Sequence, residues 1–322
     1  MDIQRRKDET DFEYELRLCL AKCRKDIDLD WEEIVELLGL DISSDSLRKR
    51  AYAYKKYDDY VKGCDEAVTT ILSLSDLHIP FQKDFHILED YVGRVDILQL
   101  NGDIFENYQS SRFPKSFRIN PIEELINGRQ YLIDLINYIK PKKVIANFGN
   151  HCIRFGNYLS SKLENELQEL SPMTVLDYIF EDGFTHYDRK TGTKTKYDPL
   201  CNIFDDIDIQ YTGSWYSQCG DFIFAHPKTF SSAPMKTAEK ALNWFRNEGF
   251  IFKNLSMSHT HRLGSYKIGN TNIYEQGAFC ETDKMQYNDG LLINSQKQGF
   301  IVIYQDKDGN TIESKTKLVS LN

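Results

Sequence analysis

Carboxylate, imidazole and amide side chains stand at the ends of five short apolar runs in this sequence, and these groups bind transition metals. The candidate ligands are Asp76, His78, Asp103, Asn150, His226, His259 and His261. Of the 7 histidines, all but His86 and His186 stand at such an end, which scattered structural histidines would not do. Neutral imidazole together with carboxylate favours Zn²⁺, Fe, Mn²⁺ or Ni²⁺ over the all-oxygen sites of Ca²⁺ and Mg²⁺.

The spacing of these residues predicts two ions. Asp76 and His78 are two positions apart, and so are His259 and His261. Side chains two apart on an extended strand point to the same face, so each pair can reach one ion. Seven ligands are more than one ion needs, and the carboxylate of Asp103 is the natural bridge between two.

The apolar runs themselves are predicted strands of a parallel sheet. Runs 69–75, 95–101 and 143–148 are short and place apolar residues at consecutive positions, as strands buried on both faces do. Helical patterns at 83–93 and 121–140 separate them, which indicates βαβ units. Open α/β sheets bind ligands at the carboxyl ends of their strands, so this order brings the candidate ligands to one edge.

The rest of the C-terminal part is predicted to be more antiparallel. Four further strand candidates follow at closer spacing, at 221–226, 254–258, 271–277 and 299–304. The polar segment 181–210 is predicted to be an insertion on the surface. Together these patterns predict an α/β fold for residues 69–322.

A separate helical pattern precedes the α/β part. Residues 1–62 are predicted to form a small all-α, helix-turn-helix-like domain, followed by a linker at 63–68. Asp30, three residues before Glu33, indicates the capped start of one helix. Five basic residues cluster on the third helix: Arg48, Lys49, Arg50, Lys55 and Lys56. They favour contact with DNA phosphates, and a homodimer would present two such helices. The alternative is a plain helical appendage with a charged face.

Composition excludes several classes of protein. The net charge of −9 excludes a globally basic nucleic-acid binder, although not a local basic patch. No apolar stretch approaches the roughly 20 residues of a membrane helix, so no membrane is expected as a partner. The 7 cysteines form no CxxC pair, and the charged N-terminus shows no export signal. These features predict a protein of the reducing cytoplasm.

Five motifs, in their order along the chain, resemble the calcineurin-like metallophosphoesterases. They are D-L-H at 76–78, G-D-I-F-E at 102–106, G-N-H at 149–151, His226, and H-T-H at 259–261. The resemblance covers about 70–305 and extends to phage-borne members of the family. It implies a four-layer αββα sandwich with a dinuclear metal site. The implied ligands of one ion are Asp76, His78, Asp103 and His261, and those of the other are Asp103, Asn150, His226 and His259.

The resemblance also implies how the site would work. Two divalent ions, with Mn²⁺ as the first expectation, would clamp a phosphate and acidify a water. His151 matches the family's catalytic histidine beside the leaving group, and Asp103 and Asn150 take part in the same chemistry. The Asn150 amide can bind metal through oxygen and phosphate through its NH₂. Further candidates for substrate contact are Arg154, Asn107 and Tyr108.

The sequence departs from the family pattern at three positions. Cys152 follows His151 where the family has an acid that orients the histidine, which bears on how His151 acts as an acid. Glu106 replaces the commoner Asp, and Ser258 stands where the family has Gly. None of these changes removes a predicted metal ligand.

The predicted activity is hydrolysis of phosphodiester bonds by a nuclease that acts on DNA, because a metal site and a helix-turn-helix-like domain share one chain. One alternative is a phosphomonoesterase acting on a nucleotide or phosphoprotein, with the N-terminal domain used for assembly. The segment 102–109 lacks the arginine typical of protein phosphatases. A binding module with a degenerate site is a third reading, which the intact ligand set disfavours. A phage-encoded protein would act in the host cytoplasm.

Overall fold

The computed structural model describes residues 3–7, 9–65, 68–112, 115, 117–285 and 296–321, and for 58–65 it describes the backbone alone. Contacts between residues divide the chain into an N-terminal unit, 1–68, and a C-terminal unit, 69–322. None of the described helices is long and apolar enough to cross a membrane.

The N-terminal unit consists of helices with strong start signals. Its helices are α1 (Asp11–Arg24), α2 (Trp31–Leu38) and α3 (Ser44–Asp65). Thr10 and Asp30 begin α1 and α2 with capping boxes, in which the carboxylates of Glu13 and Glu33 accept a hydrogen bond from the cap backbone. The capped start predicted at Asp30 is therefore confirmed. The side chains at the centre of this unit are Leu18, Ile34, Leu47 and Ala51.

Helix α3 runs further than the sequence predicted. It continues to Asp65, so positions 63–65 of the predicted linker are helical, and 66–67 lie outside the described residues. Gly63 does not end the helix, because one interior glycine costs only about 1 kcal/mol relative to alanine.

The C-terminal unit alternates strands and helices along the chain. Its strands are β1 (Thr69–Leu74), β2 (Ile97–Asn101), β3 (Lys143–Asn147), β4 (Phe184–Asp188), β5 (Thr193–Tyr197), β6 (Asp208–Tyr211), β7 (Tyr216–Cys219), β8 (Phe222–Ala225), β9 (Asn254–Met257), β10 (Leu263–Ile268), β11 (Thr271–Gln276), β12 (Gly299–Gln305) and β13 (Lys317–Ser320). Its α-helices are α4 (Pro121–Ile139), α5 (Ile153–Ser160), α6 (Val175–Asp177) and α7 (Lys236–Asn247). The seven strands that the sequence predicted are all present, with ends shifted by at most two residues.

Two mixed sheets carry the unit. The first has the order β13-β12-β1-β2-β3-β6. Strands β1, β2, β3 and β6 run parallel to one another, β12 pairs antiparallel with β1, and β13 pairs antiparallel with β12. The second has the order β10-β11-β9-β8-β7. In it β8, β9 and β11 are parallel to one another, and β7 and β10 pair antiparallel at its two edges. Strands β4 and β5 form a separate antiparallel pair. The antiparallel pairing predicted for the second half is therefore wrong for the contacts among β8, β9 and β11. The α/β class predicted for this unit is confirmed.

Each sheet buries both of its faces. Ile71 of β1 and Phe224 of β8 share one buried cluster, which places the two sheets face to face. On the far side of the first sheet, Leu72 packs with Leu132 of α4. On the far side of the second sheet, α7 packs Leu242 against the strands. Successive residues of a strand point to opposite faces, which is why Ile71 and Leu72 join different clusters.

Two sequence predictions need correction. The helical pattern at 83–93 forms a 3₁₀ helix, Phe85–Tyr91, in which Leu88 departs from helical geometry with φ −95° and ψ 17°. The predicted surface insertion 181–210 is wrong at its end, because 208–210 belong to β6 of the first sheet. Strand β6 is polar because it lies at the sheet edge and is half exposed, so it lacks the apolar signature of a central strand.

Candidate metal centre

The predicted ligands lie in turns just past the strands rather than on them. Strand β1 ends at residue 74, before Asp76 and His78, and β9 ends at residue 257, before His259 and His261. Those four residues and Asp103 have φ between 43° and 78°, the left-handed region that non-glycine residues rarely adopt. The sequence predicted that Asp76 with His78, and His259 with His261, lie on extended strands, and this prediction is therefore wrong. Such backbone costs about 1–3 kcal/mol per residue, and it is typical of functional sites.

The turns bring six of the seven predicted ligands into two buried groups. In each group the ligand atoms lie within 4.8 Å of one another. The first group is Asp76, His78 and His261, and the second is Asp103, His226 and His259. A third group, His78, Asp103 and His151, overlaps both, so a carboxylate oxygen of Asp103 lies within 4.8 Å of a ligand atom of the first group.

Asn150, the seventh predicted ligand, stands in the turn beside Asp103. The backbone N–H of His151 donates to Asp103 Oδ1 at 2.7 Å, which fixes this turn against the carboxylate. Asn150 Oδ1 is buried without a hydrogen-bond partner among the described residues. A buried amide oxygen without a hydrogen-bond partner destabilises the fold unless a ligand binds it.

The Nδ1 atoms of two candidate ligands, His78 and His226, are held by fixed acceptors. His78 Nδ1 lies 2.7 Å from Glu106 Oε2, and His226 Nδ1 lies 2.9 Å from the backbone oxygen of Asn101. A carboxylate and a carbonyl only accept, so both Nδ1 atoms donate. In the neutral imidazole this leaves a lone pair on each Nε2, which is the tautomer that metal-binding histidines use.

The Nε2 atoms of the same histidines face other acceptor atoms. His78 Nε2 lies 3.1 Å from His261 Nε2, and His226 Nε2 lies 3.1 Å from Asp103 Oδ2. His259 Nε2 is buried without a hydrogen-bond partner among the described residues. Lone pairs at these separations repel unless a proton or a metal ion lies between them. The donor set therefore fits one or more divalent cations, bound by imidazole and carboxylate.

The shifted pKa values of these groups reflect the same demand for positive charge. Burial lowers the pKa of His78, but hydrogen bonds to Asp76 and Glu106 outweigh it and raise the pKa to about 10. Burial likewise lowers the pKa of His226, and the charges of Asp103 and Asp76 raise it to about 9. Against the burial penalty, the neighbouring imidazoles hold the pKa of both aspartates below the ordinary range. Several buried anions thus share one small volume and need cations or protons to balance them.

His151 belongs to a network with Glu106 and Arg154 that shares Glu106 with the candidate ligand His78. Its Nδ1 lies 2.7 Å from Glu106 Oε2, and its Nε2 lies 2.8 Å from Arg154 Nη2. A guanidinium only donates, so His151 Nε2 accepts and Nδ1 carries the proton. Burial lowers the pKa of His151 against the pull of Asp103 and Glu106, so this imidazole is neutral near pH 7.

Glu106, rather than an acid at position 152, orients the catalytic histidine candidate. Besides His151 and His78, Glu106 binds Arg154, whose Nη1 lies 2.7 Å from Oε1. Cys152 is fully buried, and burial raises the pKa of its thiol to about 12, so the thiol is neutral. The absence of the family acid at Cys152 therefore leaves His151 with a carboxylate partner.

Asn107 and Tyr108, predicted to contact substrate, are both buried at the edge of this network. Asn107 Nδ2 donates to the backbone oxygen of His151 at 3.0 Å, and its N–H donates to Glu124 Oε1 at 2.6 Å. Tyr108 stacks on Phe117 with ring centroids 4.6 Å apart. The structure thus places Asn107 as a support for the His151 turn, and substrate contact by either residue stays a prediction.

Two glycines that stand in the quoted motifs, but that were given no role from the sequence, are required by the packing. Gly102 has φ +80°, and a Cβ there would collide with the ring of His226. A Cβ at Gly149 would collide with Asp103. Their positions, directly before Asp103 and Asn150, are the signal that could have identified them.

The basic cluster of the N-terminal unit is partly paired with acids. Arg48 Nη2 lies 2.5 Å from Asp45 Oδ1, Lys49 Nζ lies 2.8 Å from Asp45 Oδ2, and Arg50 Nη1 lies 3.3 Å from Glu15 Oε1. The pairs of Arg48 and Lys49 with Asp45 are exposed and contribute only about 0–1 kcal/mol each, so a phosphate could replace Asp45. Glu15, the partner of Arg50, is buried. Of the remaining members of the cluster, Lys55 is half-buried and Lys56 is exposed. Their contact with DNA stays a prediction.

Comparison with known proteins gives structural likeness alone. No family model matches the sequence, and no curated protein matches it. Solved structures similar to the chain include Vacuolar Protein Sorting 29 of Cryptosporidium parvum, at 12% identity and a TM-score of 0.37 over 79% of this chain and 98% of that one. Wild-type Vps29 of Entamoeba histolytica, complexed with Zn²⁺, and an archaeal phosphodiesterase each show 12% identity and a TM-score of 0.36 over 79% of this chain and 100% of theirs. At this level of likeness, the chemistry of the site has to be inferred from its own residues.

Proposed function

We propose that this chain is a phosphoesterase that uses two divalent metal ions. The observation that carries the proposal is the convergence of buried imidazole and carboxylate acceptor atoms, which meet at about 3 Å and require shared positive charge. The proposed ligands of one ion are Asp76, His78, Asp103 and His261, and those of the other are Asp103, Asn150, His226 and His259. Mn²⁺ is the preferred candidate, with Fe, Zn²⁺ and Ni²⁺ as alternatives.

The bound ions would supply electrostatic stabilisation of a phosphate and a lower pKa for an attacking water. The chain itself contributes the rigid cage, because strained turns and second contacts such as Glu106–His78 hold each ligand in one orientation. Asn101 does the same for His226 through its backbone oxygen.

We place His151 at the leaving oxygen. Its Nδ1 proton is fixed by Glu106, so a proton taken up at Nε2 creates an imidazolium that the carboxylate stabilises and that can protonate the leaving group. Arg154 reaches the same Nε2 atom and can instead donate to a non-bridging phosphate oxygen. A bound phosphate would thereby draw Arg154 away from His151 and leave Nε2 available to the leaving oxygen.

The order of packing supports a finer statement about architecture. Helix α4, the first sheet, the second sheet and α7 pack in that order, as in a four-layer αββα sandwich. The order of the motifs agrees with the calcineurin-like metallophosphoesterases, including phage-borne members.

Within this class we propose hydrolysis of phosphodiester bonds, with DNA as the substrate. What supports the proposal is the N-terminal unit, where α2 and α3 are joined by a short turn and α3 carries the basic cluster at 48–56. A homodimer would double this contact. The pairing of Arg48, Lys49 and Arg50 with acids favours the second candidate, a phosphomonoesterase whose helical unit serves assembly.

The experiment compares substrates and metal content on one purified sample. With Mn²⁺, wild-type protein should cleave bis-p-nitrophenyl phosphate and single-stranded DNA faster than p-nitrophenyl phosphate, and elemental analysis should find about two metal ions per chain. Asp103→Asn should lose metal and activity together, because one shared ligand is removed from both proposed ions. The matched control is Asp90→Asn, an exposed carboxylate outside the site. Metal-loaded protein that cleaves no phosphate ester would refute the proposal, and turnover of the monoester alone would select the second candidate.

A further inference from the structure

A cavity of about 540 Å³ lies beside the proposed metal centre, within the C-terminal unit. It is enclosed by α5, by α7 and by the loop that follows His226. Aromatic side chains form its walls, with Trp215, Trp244 and Phe148 among them. Its size is within the range of about 300–1,000 Å³ usual for small-molecule sites.

Several residues that line this cavity lie next to the turns that carry the proposed ligands. The backbone N–H of His226 donates to the oxygen of Trp215 at 2.8 Å, and Phe148 directly precedes Gly149. The loop after His226 also returns to the site, since the ring of Phe230 lies 5.7 Å from the ring of His259. The residues that line the cavity therefore adjoin the proposed ligands along the chain.

The chemistry of the cavity favours an aromatic anion. Lys228 and Lys240 contribute two cations, and none of the described residues that line the cavity is acidic, although the chain as a whole carries a net charge of −9. Neither lysine pairs with a carboxylate among the described residues. A cavity lined by two lysines and two tryptophans is suited to a nucleotide, because bases stack on aromatic faces while lysines bind phosphates as point charges.

We infer that this cavity binds one unpaired nucleobase of the substrate strand, next to the phosphate that is cleaved. Trp244, with 39% of its surface exposed, provides the stacking face, and Lys228 and Lys240 bind the neighbouring phosphates. A base inside a duplex is stacked and paired, so it can enter the cavity only after extrusion. The inference rests on the proposed function and narrows its substrate to single-stranded nucleic acid.

A binding experiment tests the cavity without hydrolysis. Affinity for a fluorescently labelled thymidine octamer is measured on the full chain in EDTA. Trp244→Ala should weaken binding about tenfold, which is typical of a lost base–aromatic stack, while Trp244→Phe should retain most of the affinity. Lys240→Gln should weaken binding and lower its dependence on salt. The matched control is Tyr187→Ala, an exposed aromatic residue on β4 outside the cavity.

A kinetic comparison tests the same cavity in the metal-loaded protein. The p-nitrophenyl ester of thymidine 5′-phosphate and methyl p-nitrophenyl phosphate share a leaving group and differ only in the nucleoside. Wild-type kcat/KM should favour the thymidine ester by about tenfold or more, and Trp244→Ala should bring the ratio towards one. Equal kcat/KM for both esters in the wild type would overturn the cavity assignment and leave the phosphoesterase proposal standing. Octamer binding that depends on Trp244 without hydrolysis of either ester would retain the cavity and remove the phosphoesterase. Octamer binding unaffected by Trp244→Ala would overturn the inference.

Discussion

Replacement of Glu106 by Gln tests whether one carboxylate serves both the metal cage and the catalytic histidine. Glu106 is 2% exposed and accepts three side-chain contacts, from His78, His151 and Arg154, each at 2.7 Å. An amide keeps one acceptor oxygen but turns an NH₂ group towards N–H donors. At least one of the three contacts must therefore be lost, together with the negative charge that they share.

The magnitude follows from which contacts fail. Loss of the outer partner of a ligating histidine reduces metal affinity or activity by about 10–100-fold. Loss of the carboxylate behind a proton-transferring histidine costs more, since the wrong tautomer alone reduces kcat by about 10⁴-fold in the Ser-His-Asp triad. We therefore expect Glu106→Gln to lower Mn²⁺ affinity about tenfold and kcat by about 100-fold or more at saturating metal.

The assay measures kcat for bis-p-nitrophenyl phosphate between pH 5 and pH 10 at several Mn²⁺ concentrations, beside metal content. Glu106→Asp restores the charge, so it should recover most of the metal affinity. Glu89→Gln is the control for loss of an exposed carboxylate. A Glu106→Gln protein with wild-type kcat and wild-type metal affinity would show that neither His78 nor His151 depends on this carboxylate.

Three further predictions concern stability, backbone and charge. First, stability of the metal-free protein should fall as pH rises from about 6.5 to 10, because the folded pKa values of His78 and His226 are raised to about 10 and 9, and unfolding releases these protons. Thermal melts at stepped pH measure this, and bound metal should flatten the profile by replacing the protons. Second, Gly102→Ala should cost about 2–4 kcal/mol in urea unfolding and weaken metal binding, because φ +80° is strained for alanine and its Cβ meets the His226 ring. Third, if α3 contacts DNA phosphates, Lys55→Gln with Lys56→Gln should lower the salt slope of DNA binding by about two.

The pH prediction has a contradicting outcome, and the other two predictions each have a control variant. Metal-free stability that stays level from pH 6.5 to 10 would mean that the raised pKa values do not belong to the folded state. Gly213→Ala has φ +57° and meets nothing within 4 Å, so it isolates backbone strain from collision, and an equal loss in both variants would remove the role of the His226 ring. Lys22→Gln with Lys25→Gln, at the end of α1, tests whether loss of any two charges lowers the slope equally.

The identity of the candidate ligands could be predicted from the sequence alone. Apolar runs of five to seven residues predict strands, and a polar residue directly after such a run must lie at a strand end. That local rule identified Asp76, Asp103 and His226 without knowledge of the fold. It also located seven of the thirteen described strands within two residues, since burial on both faces places apolar residues at consecutive positions.

The pairing of these residues was decided by the tertiary structure. His78 and His261 are separated by 183 positions, and Ser73 and Gln276 by 203, yet each pair is in contact. The role of Glu106 depends on two such distant partners, so the change from Asp was visible in the sequence while its consequence was not. Strand β6 was missed for a related reason, because a sheet edge demands hydrogen bonding and little apolar burial.

Local pattern thus determined which side chains stand at the strand ends, because strand burial depends on residues that are neighbours in the chain. The tertiary structure decided the left-handed turns at Asp76, His78 and Asp103, the orientation of His151 and the cavity beside the site. The physical reason is that strained backbone and opposed lone pairs are unfavourable by themselves, and only packing between two facing sheets can hold them in place.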